Sequence, residues 1–170
     1  MRILGIDPGS RITGYGLIEQ QGSRINFLDC GQVQCSKGEL PQRLRTIFEA
    51  LRELASAQQP DEVAIEKVFV NRNVNSALVL GQARGAAICA VYDEQRPLAE
   101  YAPTQIKNAV VGSGRADKAQ IQHMVKVLLR LNAMPPSDAA DALAVAICHA
   151  NVRATGARSG VQLSAAWGGR

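Results

Sequence analysis

The sequence predicts an α/β domain built on a mixed five-stranded sheet with helices on both faces. Apolar runs of strand length recur along the chain, and after the third run they alternate with longer stretches whose apolar residues repeat at helical spacing. The order βββαβαβ followed by further helices is typical of a sheet covered on both sides. The chain has 170 residues, which is enough for one domain with a single core.

The strands are predicted from apolar runs that end at turn residues. The first run ends in Asp7, directly before Pro8 and Gly9. A Gln-Gly-Ser turn at 21–23 separates the next two runs and indicates an antiparallel hairpin. The predicted strands cover 3–7, 13–19, 25–33, 63–69 and 98–101, and this assignment places Glu66 in the middle of the fourth strand.

The helices are predicted from apolar spacing and from their end signals. An apolar stripe covers 40–54, and Pro60 ends that helix. Asp117 and Gln120 form a capping box that begins another helix. The predicted helices cover 40–54, 76–92, 103–106, 117–131 and 138–152. Residues 153–170 contain four glycines and no periodicity, so we expect a domain over 1–152 followed by a disordered tail.

Composition indicates where the protein is located more clearly than it indicates what the protein binds. Hydrophobic residues make up 46% of the chain, and the net charge of +4 indicates an acidic partner only weakly. No apolar run approaches the roughly 18 residues that span a bilayer, and Asp7 interrupts the apolar N-terminus. We therefore expect a cytoplasmic protein that does not enter a membrane. The four cysteines form no C-x-x-C pair and are expected to be buried free thiols.

Four acids lie where a carboxylate needs a counter-charge. Asp7 closes one apolar strand, and Glu66 interrupts another. Asp138 and Asp141 are three residues apart on one helix and therefore share a face. Oxygen-only ligands favour Mg²⁺, with Mn²⁺ as an acceptable substitute. Two divalent ions would balance four carboxylates, so we predict two ions per subunit that support phosphodiester hydrolysis.

Each acid also has a simpler interpretation. Asp138 could interact with the helix dipole in the first turn, behind Ser137 as the N-cap. Asp7 could cap the Asp-Pro-Gly turn, and Glu66 could pair with Lys67 at a strand edge. These interpretations require three separate explanations, whereas one metal site accounts for all four acids.

A series of short motifs resembles the RuvC family of junction resolvases over residues 1 to about 152. In chain order they are GIDPGS at 5–10, TGYG at 13–16, IEKVF at 65–69, LGQARG at 80–85, YAPTQIK at 101–107, VVG at 110–112 and DAADALA at 138–144. The resemblance implies a ribonuclease H-like fold. It also implies that Asp7, Glu66, Asp138 and Asp141 are the catalytic, metal-binding acids.

The resemblance further implies a function and its partners. Members of this family act as homodimers on Holliday junctions in homologous recombination and DNA repair, together with the RuvA and RuvB branch-migration proteins. They make paired, symmetric nicks that leave 5′-phosphate and 3′-hydroxyl ends. A two-fold dimer fits the symmetry of such a four-way DNA junction.

Several positions are expected to contact DNA. Lys107 and Lys118 match DNA-contacting positions of the family, and Phe69 matches an aromatic residue that stacks on a base at the opened junction. Arg72, Arg84 and Arg115 could extend the track of phosphate contacts.

Other interpretations remain open from the sequence. The chain could be a related ribonuclease H-like nuclease that cuts another structured nucleic acid, or a non-catalytic scaffold that binds junctions. The segment Asp7-x-Gly9 with Thr13-Gly14 also resembles a phosphate loop of actin-like and sugar-kinase proteins, but a second lobe has no room in this chain. Gly81 and Gly85 suit close helix packing, either within the protomer or across a dimer.

Overall fold

One five-stranded sheet runs through the computed structural model, which describes residues 1–68 and 74–159. The strands are β1 (Arg2–Asp7), β2 (Ile12–Gln21), β3 (Arg24–Gln34), β4 (Glu62–Glu66) and β5 (Leu98–Tyr101). The helices are α1 (Leu40–Gln58), α2 (Val74–Val91), α3 (Pro103–Val111), α4 (Lys118–Leu128) and α5 (Ser137–Ser159).

The strand order β3-β2-β1-β4-β5 brings the ends of two central strands together. The pairs β1–β2 and β2–β3 are antiparallel, whereas β1–β4 and β4–β5 are parallel. Ile6 pairs with Ile65, so the next residues, Asp7 and Glu66, end neighbouring parallel strands at the same sheet edge. This edge is where open α/β sheets present their functional groups.

Helices cover both faces of the sheet, as the sequence predicts. Side chains alternate along β1, so Ile3 joins one buried cluster and Leu4 the other. The cluster around Ile3 contains residues of α3, α4 and α5, and the cluster around Leu4 contains residues of α1 and α2. The predicted mixed α/β architecture is confirmed.

Helix α5 lies directly on the sheet because three strand residues lack a side chain. A Cβ on Gly5 would clash with the carbonyl oxygen of Ala142, and one on Gly14 would clash with that of Asp138. Gly16 faces Leu143 in the same way. The glycines of the hairpin and of β1 therefore form a flat seat that allows α5 to approach closely.

Several element boundaries differ from the prediction, and three of the differences have a clear local cause. Strand β4 ends at Glu66 rather than at residue 69, because β5 ends at Tyr101 and offers no partner beyond the bond from the Lys67 N–H to the Tyr101 carbonyl. Helix α3 continues past 106 to Gly112, whose left-handed backbone (φ 77°) ends it. Helix α4 ends at Leu128, and the chain turns at Arg130, which has a φ of 54°.

The C-terminal helix is longer than expected. It continues through residues 153–159, which the sequence assigns to a disordered tail, so that assignment is wrong for these seven residues. Arg153 pairs with Glu62 of the sheet, and the Thr155 hydroxyl donates to the Asn151 carbonyl, so contacts continue past 152. Residues 160–170 lie outside the described part of the chain.

Helix α2 is less buried than its composition suggests. It is 18 residues long with a mean hydropathy of 1.3, which is long and apolar enough to cross a membrane, contrary to the expectation from the sequence. Arg84 within it forms an ion pair with Glu100, and Ala83 and Ala87 pack into the core. Cys89 is exposed on its outer side, so the expectation of four buried thiols is wrong at this position, and Cys30 of β3 is only partly buried.

Candidate active site

The predicted acids converge at the carboxyl edge of the sheet. Carboxylate oxygens of Asp7, Asp138 and Asp141 lie within 4.8 Å of one another. Glu66 lies beside Asp7, and both line a cleft of about 400 Å³ together with Asp141. Lys107 and Lys118 line the same cleft.

Three structural elements carry these four acids. Asp7 and Glu66 are the last residues of β1 and β4, whereas Asp138 and Asp141 lie in the first turns of α5. The helix brings its acids to the strand ends because its first turn sits on Gly14, the register partner of Asp7. Sequence spacing predicted the shared face of the two helical acids, and the glycine seat explains their distance from the strands.

The carboxylates are buried and repel one another. Burial, together with the nearby charge of Glu66, raises the pKa of Asp7 from its ordinary 3.8 to about 8. Burial likewise raises the pKa of Glu66 and of Asp141. A cluster of acids that resists ionisation in this way gains the most from bound cations.

Lys118 provides a positive charge next to the helical acids. Its ammonium nitrogen lies 3.0 Å from an oxygen of Asp141 and 3.9 Å from one of Asp138. The hydrogen bond to Asp141 raises the pKa of Lys118. Lys118 is the first residue of α4, directly after its N-cap Asp117, and the predicted Asp117–Gln120 capping box is confirmed.

The simpler interpretations of Asp7 and Glu66 do not fit the contacts. The Asp-Pro-Gly turn is held by Thr13, whose hydroxyl donates to the Gly9 carbonyl (2.9 Å) and accepts from the Gly9 N–H (3.3 Å). Asp7 and Glu66 instead line the cleft together, and Glu66 forms no ion pair with Lys67 among the described residues. Asp138 does lie in the first turn of α5, so a favourable dipole interaction coexists with its place in the cluster.

Gln32 is a site residue that sequence reasoning missed. Its side-chain amide donates to Asp138 Oδ2 at 2.7 Å. In the register of β2 and β3, Gln32 lies opposite Gly14, whose missing side chain leaves space next to Asp138. Only the strand register and the position of α5 together reveal this contact.

The residues expected to contact DNA occupy different environments. Lys107 and Lys118 lie at the cleft, and Arg115 is exposed in the turn before α4, without an ion pair among the described residues. Arg84 is largely buried, pairs with Glu100 and donates to the Glu66 carbonyl at 3.3 Å. Its charge is compensated within the protein by Glu100, and its bond to the Glu66 carbonyl supports the end of β4. A phosphate contact by Arg84 stays a prediction. Phe69 and Arg72 lie outside the described residues.

The arrangement suits hard divalent cations and defines the class of protein. Every ligand in the cluster is a carboxylate oxygen, which Mg²⁺ and Mn²⁺ prefer over nitrogen or sulfur. A mixed sheet of this order, with acids at the ends of two central strands and on the covering helix, belongs to the ribonuclease H-like nucleases.

The particular family follows from comparison with known proteins. Residues 3–149 match the family described as crossover junction endodeoxyribonuclease RuvC, and the chain belongs to it. RuvC of Shewanella loihica is 58% identical over 147 residues, which are 86% of this chain and 85% of that protein. The family is one of metal-dependent nucleases.

Solved structures support the same assignment. Thermus thermophilus RuvC in complex with a Holliday junction substrate has 34% identity and a TM-score of 0.83, covering 95% of this chain and 97% of that one. The yeast mitochondrial Holliday junction resolvase Ydc2, at 13% identity and a TM-score of 0.67, covers 94% of this chain and 82% of its own and shares the fold.

Proposed function

We propose that this protein resolves Holliday junctions by paired, symmetric, metal-dependent nicks that leave 5′-phosphate and 3′-hydroxyl ends. The convergence of Asp7, Glu66, Asp138 and Asp141 at one sheet edge carries the proposal. Membership of a family of crossover junction endonucleases, with a relative solved on a Holliday junction, supports the substrate. Resolution of junctions places the protein in homologous recombination and DNA repair.

The four acids are the proposed ligands of two Mg²⁺ ions, with Mn²⁺ as an acceptable substitute. Bound ions would lower the pKa of a water molecule and stabilise the negative charge that develops on the phosphate. Among the described residues that line the cleft, none carries a hydroxyl, thiol or imidazole group that could attack phosphorus. The proposed nucleophile is therefore water. The protein's own contribution is to hold the four acids together.

Basic residues around the cleft are the proposed phosphate contacts. Lys107 and Lys118 approach the acids from α3 and α4, and Arg115 lies in the turn between these helices. The side chain of Lys118 is 63% exposed, so it is free to turn from Asp141 towards a phosphate. Phe69 and Arg72 remain proposed contacts on the basis of the family resemblance. Such contacts make binding strongly dependent on salt concentration.

The outer face of α2 is the proposed surface of a homodimer. Val74, Leu78 and Tyr92 are 64%, 62% and 61% exposed. A Cβ added to Gly81 or Gly85 would meet nothing within 4 Å, so close packing at these glycines is not used within the described protomer. A two-fold dimer would present two clefts to a four-way junction. RuvA and RuvB are further proposed partners, in the cytoplasm.

Cleavage of a synthetic four-way junction tests this function. We expect paired nicks that require Mg²⁺ and that do not occur on a linear duplex of the same sequence. Asp7→Asn should abolish cleavage and leave junction binding intact, because it removes one metal ligand and one negative charge.

Each alternative outcome identifies a different error. Near-normal cleavage by Asp7→Asn would contradict the metal site. Equal cutting of the linear duplex would favour the related nuclease with another substrate. Binding without cleavage across a panel of junction sequences would favour the non-catalytic scaffold.

A further inference from the structure

A chain of hydrogen bonds is buried between α5 and the sheet, away from the cleft. The hydroxyl of Tyr101 lies 2.7 Å from Nδ1 of His149. Nε2 of His149 lies 2.6 Å from Oε2 of Glu62, and Arg153 pairs with the other oxygen of Glu62. Tyr101, Glu62 and His149 are all buried. The activity proposed above uses none of these residues.

The direction of each bond follows from the charge of the imidazole. Burial lowers the pKa of His149 to about 4, so the ring is neutral near pH 7. Glu62 accepts from Nε2–H, which leaves Nδ1 to accept from the Tyr101 hydroxyl. Arg153 supplies the positive charge for Glu62. No buried polar side-chain atom lacks a partner among the described residues, so the network is complete as built.

The network and the acidic cluster connect the same two elements at opposite ends. Glu62, Ala64 and Glu66 alternate with Val63 and Ile65, so they face the α5 side of the sheet. His149 contacts Glu62 at the start of β4, whereas Asp141 shares the cleft with Glu66 at its end. Helix α5 therefore runs antiparallel to β4.

The distance between the two contacts is about the same along α5 as along β4. The eight residues from Asp141 to His149 rise about 12 Å along a helix, and the four from Glu62 to Glu66 rise about 13 Å along a strand. Moving α5 along its axis would break the His149–Glu62 contact and displace Asp141 from Glu66 together.

The His149–Glu62 contact is important because the acidic cluster at the other end of α5 is electrostatically unfavourable before cations bind. Asp7, Glu66 and Asp141 repel one another, and this repulsion pushes the start of α5 away from β4. At the other end of α5, the neutral imidazole of His149 contacts a Glu62 carboxylate whose charge Arg153 compensates, so no like charges oppose the contact that resists this displacement. Tyr101 adds β5, which leads through Ala102 into α3 and its Lys107.

We infer that His149 is a positioning residue that sets the axial register of α5 over β4 and thereby places Asp138 and Asp141 at the cation-binding distance from Asp7 and Glu66. The inference rests on the proposed metal site and concerns a residue outside it. It predicts that cation affinity depends on a side chain that touches neither cation nor DNA.

Mn²⁺ binding measured by electron paramagnetic resonance of the free ion tests the inference without cleavage. His149→Leu should weaken Mn²⁺ binding about three- to tenfold, the equivalent of one lost buried hydrogen bond. His149→Gln retains a donor for Glu62 and should recover most of the affinity. Tyr101→Phe removes one hydroxyl with little change in volume and should give a smaller loss, so the test survives if His149→Leu folds poorly.

The matched control is Ile47→Val on α1, in the core on the other face of the sheet. It should lower Tm, because it removes one buried methyl group, and leave Mn²⁺ affinity unchanged. The half-saturating Mg²⁺ concentration for junction cleavage should rise in parallel with the loss of Mn²⁺ binding in the His149 and Tyr101 variants.

Two results would overturn the inference about His149 and leave the proposed metal site standing. In the first, His149→Leu lowers Tm and leaves Mn²⁺ affinity at the wild-type value. In the second, His149→Gln loses as much affinity as His149→Leu. Asp7→Asn separates these results from a failure of the metal site. If Asp7→Asn binds Mn²⁺ as tightly as the wild type does, the metal site itself is wrong, and the inference fails with it.

Discussion

Helices α5 and α2 have similar compositions and opposite environments. Both are long and rich in alanine, and neither has a clear polar face. From Ala142 to Ala150 every residue of α5 is buried, whereas α2 is exposed along one side. Under α5 the glycines belong to the sheet and allow a close approach within the protomer. In α2 the glycines belong to the helix, and a Cβ added to them would meet no described atom within 4 Å, so the same residue type leaves an open surface there.

The largest expected effect comes from filling the seat of α5. Gly5→Ala places a Cβ against the carbonyl oxygen of Ala142, which is backbone and cannot rotate away. We expect a loss of about 3 kcal/mol or more in the free energy of unfolding, measured by urea denaturation, and a loss of Mn²⁺ binding because Asp141 moves with the helix. Gly85→Ala on α2, measured at low protein concentration, is the control and should not lower the free energy of unfolding of the protomer. Wild-type stability of Gly5→Ala would show that α5 does not depend on close contact.

The second expected effect is a pH dependence of stability, which arises at α5 because this helix carries acids and α2 carries none. The close seat of α5 holds its acids against Asp7, whose pKa of about 8 lies above the ordinary 3.8. Folded Asp7 therefore keeps a proton that the unfolded chain releases. The stability that this gives is present below pH 4 and is lost as the pH rises through about 8.

Calorimetry in EDTA between pH 5 and 9 measures this loss. We expect Tm of the metal-free protein to fall over this range by several degrees, at about 2–4 °C per kcal/mol, and Mg²⁺ at pH 8 to restore it. Asp7→Asn should reduce both the fall and the Mg²⁺ effect, and the remainder comes from Glu66 and Asp141, whose pKa values are also raised. The exposed Asp93→Asn should change neither. An identical pH profile for wild type and Asp7→Asn would contradict the raised pKa.

The sequence predicts local features of the site well, because each depends on a short segment. Asp7 before Pro8, and Asp138 three residues before Asp141, are visible as patterns. The contacts that support them join elements far apart in the chain, as Gln32 joins Asp138 and as Arg84 joins Glu100. No periodicity reports such a contact, because it depends on strand register and on the seat of α5.

The errors in element boundaries have the same origin. The run at 63–69 looks like one strand, but β4 ends at Glu66 because its neighbours end there. Helix α5 continues past 152 because Arg153 forms an ion pair with Glu62 on the sheet. Both boundaries are set by tertiary partners rather than by the residues at the boundary itself.

The smallest expected effect tests whether the exposed glycines of α2 serve a second molecule. Gly81→Ala meets no atom within 4 Å in the protomer, so it should stabilise the isolated protomer by about 1 kcal/mol through helix propensity. In a dimer that brings two α2 helices close together, the added methyl group should instead weaken association. Sedimentation equilibrium measures the association, and urea denaturation at low protein concentration measures the protomer. A more stable protomer together with weaker association would show that Gly81 allows close packing in the dimer, as Gly5 and Gly14 allow close packing of α5 on the sheet. If both quantities rise, the helices do not meet at Gly81, and the proposed dimer surface must lie elsewhere, around Leu78 on α2 or Tyr92 directly after it.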